Sequence, residues 1–342
     1  MSGDAVVMKP GTARELSSCR PDSLDDSVLS ATEPVVLRGL VADWPIVQAG
    51  RKSPQAAADY LRRFYSGRPL TASYAPPEIK GRVGYNDDLS GFNFDVATVT
   101  LDDFFDRLFT HVDDPEPPTS YIGSTLLDIW FPGFRAENDI ELGSLEPLAS
   151  VWIGNQTRVS AHFDFPDNIA CCVTGRRRFT LFPPEQLDNL YIGPWDVTPA
   201  GQAISLVDLH NPDFDRYPRF REAMEHACEI TLEPGDALFL PSMWWHHVEG
   251  LGEFNVLVNY WWRSTPHYMG TPLNVMKHAL LALRGLRPEQ RRAWRHIFDY
   301  YVFEPSDDAI AHIPEQSRGI LGPIDENAAR RLRAELLNLL NR

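Results

Sequence analysis

Short apolar runs separated by Gly and Pro fill the middle of the chain, from about residue 121 to residue 262. Runs of this length, bounded by turn residues, are typical of antiparallel strands. The turn Glu233-Pro234-Gly235-Asp236 separates two of them. The spacing predicts a barrel or jelly roll with strands at 150–153, 169–174, 178–182, 229–232, 237–240 and 254–262.

Helical patterns lie on both sides of this β region. Ser53-Pro54 and Thr100, which acidic residues follow, predict helix starts in the N-terminal third. After residue 264, apolar residues recur at helical spacing in three stretches, the second running from Pro288 to about Phe303. We therefore expect a mixed α/β segment at 1–120 that packs on the barrel, a β core at 121–264 and a helical region at 265–342. The C-terminal helices either pack outside the barrel or form a dimer interface.

Composition narrows the function classes. The 342 residues are 43% hydrophobic, which is enough for a large core, and the net charge is −15. An acidic chain neutralises few phosphates, so we expect no nucleic-acid partner and no membrane partner. No run approaches the roughly 18 apolar residues of a membrane span, and no basic, then apolar, N-terminal leader is visible. The four cysteines lack C-x-x-C spacing, which disfavours disulfides and zinc clusters. We expect a cytoplasmic protein.

The strongest chemical signal is His162-Phe163-Asp164 together with a later histidine, His246. Residues two apart on a strand point to the same face, so one imidazole and one carboxylate lie side by side. Two histidines and one carboxylate hold Fe(II) on one face and leave the opposite positions open. His247 is the rival to His246, because neighbours on a strand point opposite ways and only one can enter the barrel. We predict that His162, Asp164 and His246 are the metal ligands and the catalytic centre.

Several motifs in this order resemble the cupin-like JmjC family of Fe(II)- and 2-oxoglutarate-dependent oxygenases. They cover about residues 121 to 262 and are, in one-letter code, AHFD at 161–164, GRRRF at 175–179, LFPP at 181–184, VDLHNPDFDRYPRF at 207–220, PGD at 234–236, LP at 240–241, WWHHVE at 244–249 and VNYW at 258–261. The resemblance implies a double-stranded β-helix, so the predicted fold class is mainly β, a cupin-type jelly roll with helical additions.

The resemblance also implies the cofactors Fe(II), 2-oxoglutarate and O2, and residues that hold the cosubstrate. Relatives bind its distal carboxylate with a lysine at the position of Arg177, so arginine is a departure here; its fork still grips a carboxylate. A family threonine falls on Val159, with Thr157 and Ser160 nearby. The implied cosubstrate-binding residues are Arg177, Tyr121, Asn168, Asn259 and Trp261.

The expected activity is a dioxygenase that hydroxylates a protein side chain or a small molecule, or demethylates it, with release of succinate and CO2. Two alternatives stay open: a zinc or manganese cupin hydrolase or isomerase, since three ligands and an open site also suit catalytic zinc, and a cupin module that only binds. The expected partners are a protein, peptide or small-molecule substrate and a second copy of the chain, joined through the C-terminal helices.

Overall fold

A computed structural model of the protein describes residues 11, 13–17, 19–199 and 201–341. They form two compact units, one ending at Trp262 and the other beginning at Arg263. The predicted three-segment division at residues 120 and 264 stays a prediction. No helix in the described ranges is long and apolar enough to cross a membrane.

The first unit is built from two β-sheets. The nine-stranded sheet has the order β1-β2-β12-β9-β14-β7-β6-β3-β5 and the five-stranded sheet the order β11-β10-β13-β8-β4. The strands are β1 (Arg14–Leu16), β2 (Val35–Leu37), β3 (Leu70–Ala75), β4 (Arg82–Val83), β5 (Asp95–Val99), β6 (Thr119–Leu126), β7 (Leu148–Gly154), β8 (Arg158–Phe163), β9 (Asp167–Thr174), β10 (Arg177–Phe182), β11 (Cys228–Leu232), β12 (Ala237–Leu240), β13 (Trp245–Gly250) and β14 (Asn255–Trp262).

Alternation along the strands explains why the chain folds into two layers. Ala170 and Leu257 of the nine-stranded sheet share a buried cluster with Phe179 of the five-stranded sheet, so these side chains pack between the sheets. Cys171 and Val258, one residue along, belong to a second cluster with apolar residues of the N-terminal helices. Each fully buried aliphatic side chain contributes about 1.5–3 kcal/mol. The mainly β, jelly-roll prediction is confirmed.

Nine α-helices lie in the described ranges. Two begin where the sequence predicts, because Ser53 and Thr100 each accept a hydrogen bond from the backbone three residues on. The helices of the first unit are α1 (Asp26–Leu29), α2 (Pro45–Lys52), α3 (Pro54–Arg62), α4 (Leu101–Thr110), α5 (Leu127–Trp130) and α6 (Phe220–Glu225). Those of the second unit are α7 (Pro272–Leu283), α8 (Pro288–Phe298) and α9 (Glu326–Leu340).

The helix predicted from Pro288 to Phe303 is only partly α-helical. Helix α8 ends at Phe298, and Asp299–Phe303 continue as a π-helix. The backbone N–H of Glu304 donates to the carbonyl of Asp299 at 2.8 Å, an i to i+5 bond that defines the wider turn. Apolar spacing alone does not distinguish these two turns.

Candidate functional site

His162 and His246 lie on paired antiparallel strands, directly opposite each other in the register of β8 and β13. Asp164 directly follows the end of β8, and its carboxylate lies beside the two imidazoles. Potential ligand atoms of the three side chains all lie within 4.8 Å of one another. Nε2 of His246 is 3.5 Å from Oδ2 of Asp164. The structure therefore brings together three side chains separated by up to 84 positions, in the composition that suits a divalent transition metal.

Backbone carbonyls orient both imidazoles. Nδ1 of His162 lies 3.0 Å from the carbonyl oxygen of Ser160, and Nδ1 of His246 lies 3.0 Å from that of Trp244. A carbonyl can only accept, so each Nδ1 carries the hydrogen and each Nε2 keeps a free lone pair. Both rings are therefore arranged to ligate a metal through Nε2.

The protonation states also suit metal binding. Burial lowers the pKa of His162 to about 4, with the neighbouring charge of His246 acting in the same direction. Burial alone would raise the pKa of Asp164, but the contact with His246 and the nearby ring of His162 outweigh it and hold that pKa below its usual value. Near neutral pH the imidazole of His162 is neutral and the carboxylate is ionised, which are the forms that bind a metal.

The structure separates His246 from its neighbour His247. The register of β13 against β8 shifts between His246 and Val248, because His247 stands opposite two residues of β8; the β-bulge therefore lies in β8, and β13 keeps its alternation. His246 and Val248 line the cavity described below, whereas His247 is buried away from it, with Nε2 4.0 Å from Oε2 of Glu249. His247 is therefore not part of the three-residue cluster.

A cavity of about 420 Å³ opens from this cluster. The structure places every residue that the sequence and the family resemblance single out on its wall; the roles assigned to them stay predictions. These residues are Tyr121, His162, Asp164, Asn168, Arg177, His246, Asn259 and Trp261.

Arg177 brings a buried positive charge into the cavity. The residue is 3% exposed, and among the described residues Nε and Nη2 have no hydrogen-bond partner. Burial lowers the pKa of Arg177, although arginine stays protonated in proteins. Burial also raises the pKa of Tyr121 to about 12, so its hydroxyl keeps its hydrogen. Burying an unpaired guanidinium is costly, so this end of the cavity fits an anion.

Apolar side chains separate the two ends. Val248 of β13 lies opposite both Val159 of β8 and Phe179 of β10. These three line the cavity in the strand layer between His246 and Arg177. The cavity therefore offers metal ligands at one end, an apolar middle and a guanidinium at the other end. A keto acid with a distal carboxylate fits this order of metal ligands, apolar side chains and guanidinium. The residues present therefore suit both Fe(II) and 2-oxoglutarate.

Neither of the hydroxyl residues near the unmatched family threonine lines the cavity. Val159 lines the cavity, whereas Thr157 and Ser160 do not, and the hydroxyl oxygen of Ser160 is buried without a hydrogen-bond partner among the described residues. The β-bulge in β8 explains this, since it lets Val159 and His162 both line the cavity although they are three positions apart, and it leaves Ser160 off the wall.

The sequence reasoning missed part of the wall, above all Trp152. Its indole nitrogen donates to Oδ1 of Asn259 at 2.6 Å. Alternation in β7 was the available signal, because Val151 and Ile153 are apolar and buried while Trp152 faces the other side. Further wall residues come from loops and from the end of helix α5, which carry no such pattern: Pro69, Phe94, Trp130, Pro199 and Ile204.

Two long loops, 84–92 and 183–227, differ in their relation to the cavity. None of residues 84–92 lines the cavity, although Val83 and Phe94 on either side of them do. The long segment 183–227 contributes Pro199 and Ile204 to the wall. Only the second loop therefore shapes the cavity directly.

A family model described as a cupin-like domain matches residues 21–268. The chain belongs to this cupin-like, JmjC-type family. The predicted family is thus confirmed, and the match extends well before residue 121, consistent with N-terminal strands β2, β3 and β5 being hydrogen-bonded into the nine-stranded sheet.

Curated relatives of this cupin-like chain carry different names. It is 33% identical over 191 residues to lysine-specific demethylase JMJ31 of Arabidopsis thaliana, which is 56% of this chain and 32% of that protein. It is 25% identical over 305 residues to human HSPB1-associated protein 1, 80% of this chain and 57% of that protein. It is 39% identical over 105 residues to tRNA wybutosine-synthesizing protein 5 of Gallus gallus, 31% of this chain and 30% of that protein. The matches span from about a third to somewhat over half of these relatives.

Proposed function

We propose that this chain is an Fe(II)- and 2-oxoglutarate-dependent dioxygenase. One observation carries the proposal: the His-Asp-His cluster lies on the wall of the same cavity as a buried guanidinium whose Nε and Nη2 have no hydrogen-bond partner in the part of the chain that the structure describes. Membership of the cupin-like family and the demethylase named among the relatives support the same class. Hydroxylation of an uncharged group is the reaction we propose, with demethylation as the alternative.

In this proposal His162, Asp164 and His246 hold the iron, which supplies the oxygen activation that side chains lack. Nε2 of both imidazoles is held ready by the backbone carbonyls behind them. Because all three side chains line the cavity, a metal that they held would face it. Burial of the two imidazoles would limit the access of water to the reacting atoms.

Arg177 and Tyr121 bind the distal carboxylate of 2-oxoglutarate. The guanidinium can donate two parallel hydrogen bonds to it, and the protonated phenol can donate a third. Val159, Phe179 and Val248 enclose the methylene groups between the two ends. The cosubstrate is thereby oriented with its keto acid toward the metal ligands, and succinate and CO2 are the expected products.

The buried charge of Arg177 also argues against the alternatives. A zinc or manganese hydrolase acting on a neutral substrate leaves this guanidinium buried and unpaired, which is unfavourable by several kcal/mol. A module that only binds a ligand has no need of the neutral imidazole of His162 beside the ionised carboxylate of Asp164. A dicarboxylate ligand satisfies both ends of the cavity at once.

The outer wall favours an uncharged substrate group. Pro69, Leu70, Phe94, Trp130 and Ile204 are apolar, and the polar side chains near them are hydroxyls. Apart from the ligand Asp164, no acidic residue lies on the described wall to receive a cation. We propose a protein side chain or a small neutral molecule as the substrate.

Turnover of the cosubstrate tests the proposed function. The purified protein is incubated with Fe(II), ascorbate, O2 and 2-oxoglutarate labelled at C1, and released CO2 and succinate are measured with Arg177→Gln as control. We expect slow turnover even without substrate, in a 1:1 ratio of CO2 to succinate, and its loss in the variant. Absence of turnover together with hydrolase activity on addition of zinc would favour the hydrolase alternative.

We also propose that the second unit forms a homodimer. Its helices leave large apolar side chains exposed, including Val275 at 57%, Leu281 at 79% and Leu337 at 62%. Large apolar side chains that are exposed in one chain are typically covered where two copies associate, and this is the basis of the proposal.

A further inference from the structure

Three side chains on neighbouring strands form a hydrogen-bonded row in the cavity wall. Nε1 of Trp152 on β7 is 2.6 Å from Oδ1 of Asn259 on β14, and Nδ2 of Asn259 is 3.3 Å from Oδ1 of Asn168 on β9. The three are diagonal neighbours, since Trp152 lies opposite Leu257 and Asn168 opposite Trp261 in the register. They all line the cavity.

The chemistry of indole fixes the direction of this row. An indole nitrogen can only donate, so the atom of Asn259 that faces it must be the amide oxygen. The amide nitrogen of Asn259 then faces Asn168, whose nearest atom must be an oxygen. Asn168 therefore turns its own NH2 group away from the row. Amide orientations are usually ambiguous, but here one donor-only group settles both.

Asn168 offers this NH2 group at the metal end of the cavity. The residue is buried, and its amide nitrogen donates to no side chain or carbonyl of the described residues. It lies four positions after Asp164, at the start of β9, whereas the far end of β9 leads through Gly175 to Arg177. A free N–H donor beside the ligand cluster suits an oxygen atom of a bound anion.

Rings hold Trp152 in place on both sides. Its ring lies 5.6 Å from that of Trp261, nearly perpendicular, and 6.3 Å from that of Tyr121. These contacts limit rotation of the indole, so the donor that begins the row has a fixed direction.

We propose that Trp152 is a positioning residue for the cosubstrate. Its N–H orients Asn259, and through it Asn168, so that an amide N–H rather than a carbonyl oxygen faces the keto acid end of 2-oxoglutarate. The inference rests on the proposed function. Without the indole N–H both amides are free to turn, and the cavity loses a donor that is aligned before the ligand binds.

Binding measurements separate this role from activity. The affinity of Mn(II)-loaded protein for 2-oxoglutarate is measured by calorimetry, and the visible charge-transfer band of the Fe(II) complex with 2-oxoglutarate is recorded without oxygen. For Trp152→Phe we expect about three- to tenfold weaker binding, the usual effect of one neutral hydrogen bond, and a shifted band. Trp44→Phe is the matched control, because it removes an indole donor to the carbonyl of Asp139 in the core; we expect no change.

A double-mutant cycle distinguishes positioning from packing. In an Asn168→Ala background, Trp152→Phe should cause no further loss, because the donor that it orients is gone. An equal loss in both backgrounds would overturn the proposal, as would wild-type affinity and an unshifted band in Trp152→Phe. If that variant does not fold, Asn259→Leu breaks the same row at its middle, and the same loss is expected. If the wild-type protein binds no 2-oxoglutarate, the proposed function fails as well; if it binds and the variants match it, only this inference fails.

Discussion

His162 and His246 face each other across paired antiparallel strands, with ring centroids 4.2 Å apart. A β-bulge in β8, opposite His247, lies directly beside this pair. Alternation along β13 turns His246 into the cavity and His247 away from it. The arrangement of the metal site thus depends on strand register as much as on the identity of the ligands.

Loss of one imidazole should abolish metal binding. In His246→Ala we expect the affinity for Mn(II) or Fe(II) to fall by more than about 100-fold, because even removing a hydrogen-bond partner behind a ligand costs about 10- to 100-fold. Equilibrium dialysis with metal analysis measures this. His226→Ala is the control, since this exposed ring lies against the carbonyl of Glu222 and is not part of the three-residue cluster. Equal metal affinity in both variants would contradict the assigned ligand set.

The charge of Arg177 should govern cosubstrate affinity. Replacing it with Gln removes a charge-assisted hydrogen bond, and we expect 2-oxoglutarate to bind roughly 10- to 150-fold more weakly. Arg177→Lys keeps the charge but loses the bidentate fork, so an intermediate loss is expected. Calorimetry on the metal-loaded protein gives both values. An affinity in Arg177→Gln equal to that of the wild type would mean that the carboxylate binds elsewhere.

Gly175 should be intolerant of a side chain. Its backbone has φ of +73°, and an added Cβ would lie 2.6 Å from the carbonyl oxygen of Phe254. Gly175→Ala should therefore lower the free energy of unfolding by about 1–3 kcal/mol. Because Arg177 follows two residues later, cosubstrate affinity should fall too. Gly201→Ala is a useful comparison, since its φ is also positive but its Cβ meets nothing within 4 Å; denaturant unfolding should show a smaller loss.

An ion pair behind β8 should make stability depend on acid pH. Oδ1 of Asp208 lies 2.9 Å from Nη1 of the buried Arg158. Desolvation would raise the pKa of Asp208, but the charge of Arg158 and further contacts outweigh it, and the pKa falls below 3.8. A lowered pKa stabilises the fold above pH 3.8, and this contribution disappears as the pH falls through the folded value.

Asp208→Asn tests this ion pair. At pH 7 we expect a loss of about 1–3 kcal/mol, because Arg158 stays buried without its partner. Unfolding measured between pH 3 and 7 should show a gentler decline on acidification than in the wild type. Asp188→Asn, at an exposed position, is the control. Parallel pH profiles for the wild type and Asp208→Asn would refute the prediction.

Association through the second unit can be tested by light scattering. If α7, α8 and α9 form a homodimer, Leu337→Glu should convert it to monomers, since it places a charge on an exposed apolar position. Arg330→Glu on the same helix also introduces a carboxylate, but at a position that is already polar. A wild-type protein that is monomeric at all concentrations would rule out the proposed dimer.

Much of the site was predictable because strands impose a strict alternation of faces. That rule places His162 beside Asp164, and it places Arg177 with Phe179 and Leu181 on the inner face of β10. The preference for His246 over His247 rested on the same parity. The family resemblance supplied the cosubstrate residues, which alternation alone does not identify.

The remaining features depend on distances that a sequence does not contain. The row from Trp152 through Asn259 to Asn168 joins residues 107 and 91 positions apart. Its direction follows from the indole N–H of Trp152. The apolar run at 150–153 predicts only that this residue lies in a strand. The end of α8 at Phe298 likewise depends on a backbone bond to Asp299 rather than on apolar spacing.

A crystal structure of the protein soaked with Mn(II) and 2-oxoglutarate tests the central claim most directly. Anomalous scattering should locate one manganese ion between His162, Asp164 and His246, with the keto acid at the metal and the distal carboxylate on Arg177. A metal bound elsewhere, or a guanidinium of Arg177 that turns away from the bound ligand, would contradict the account.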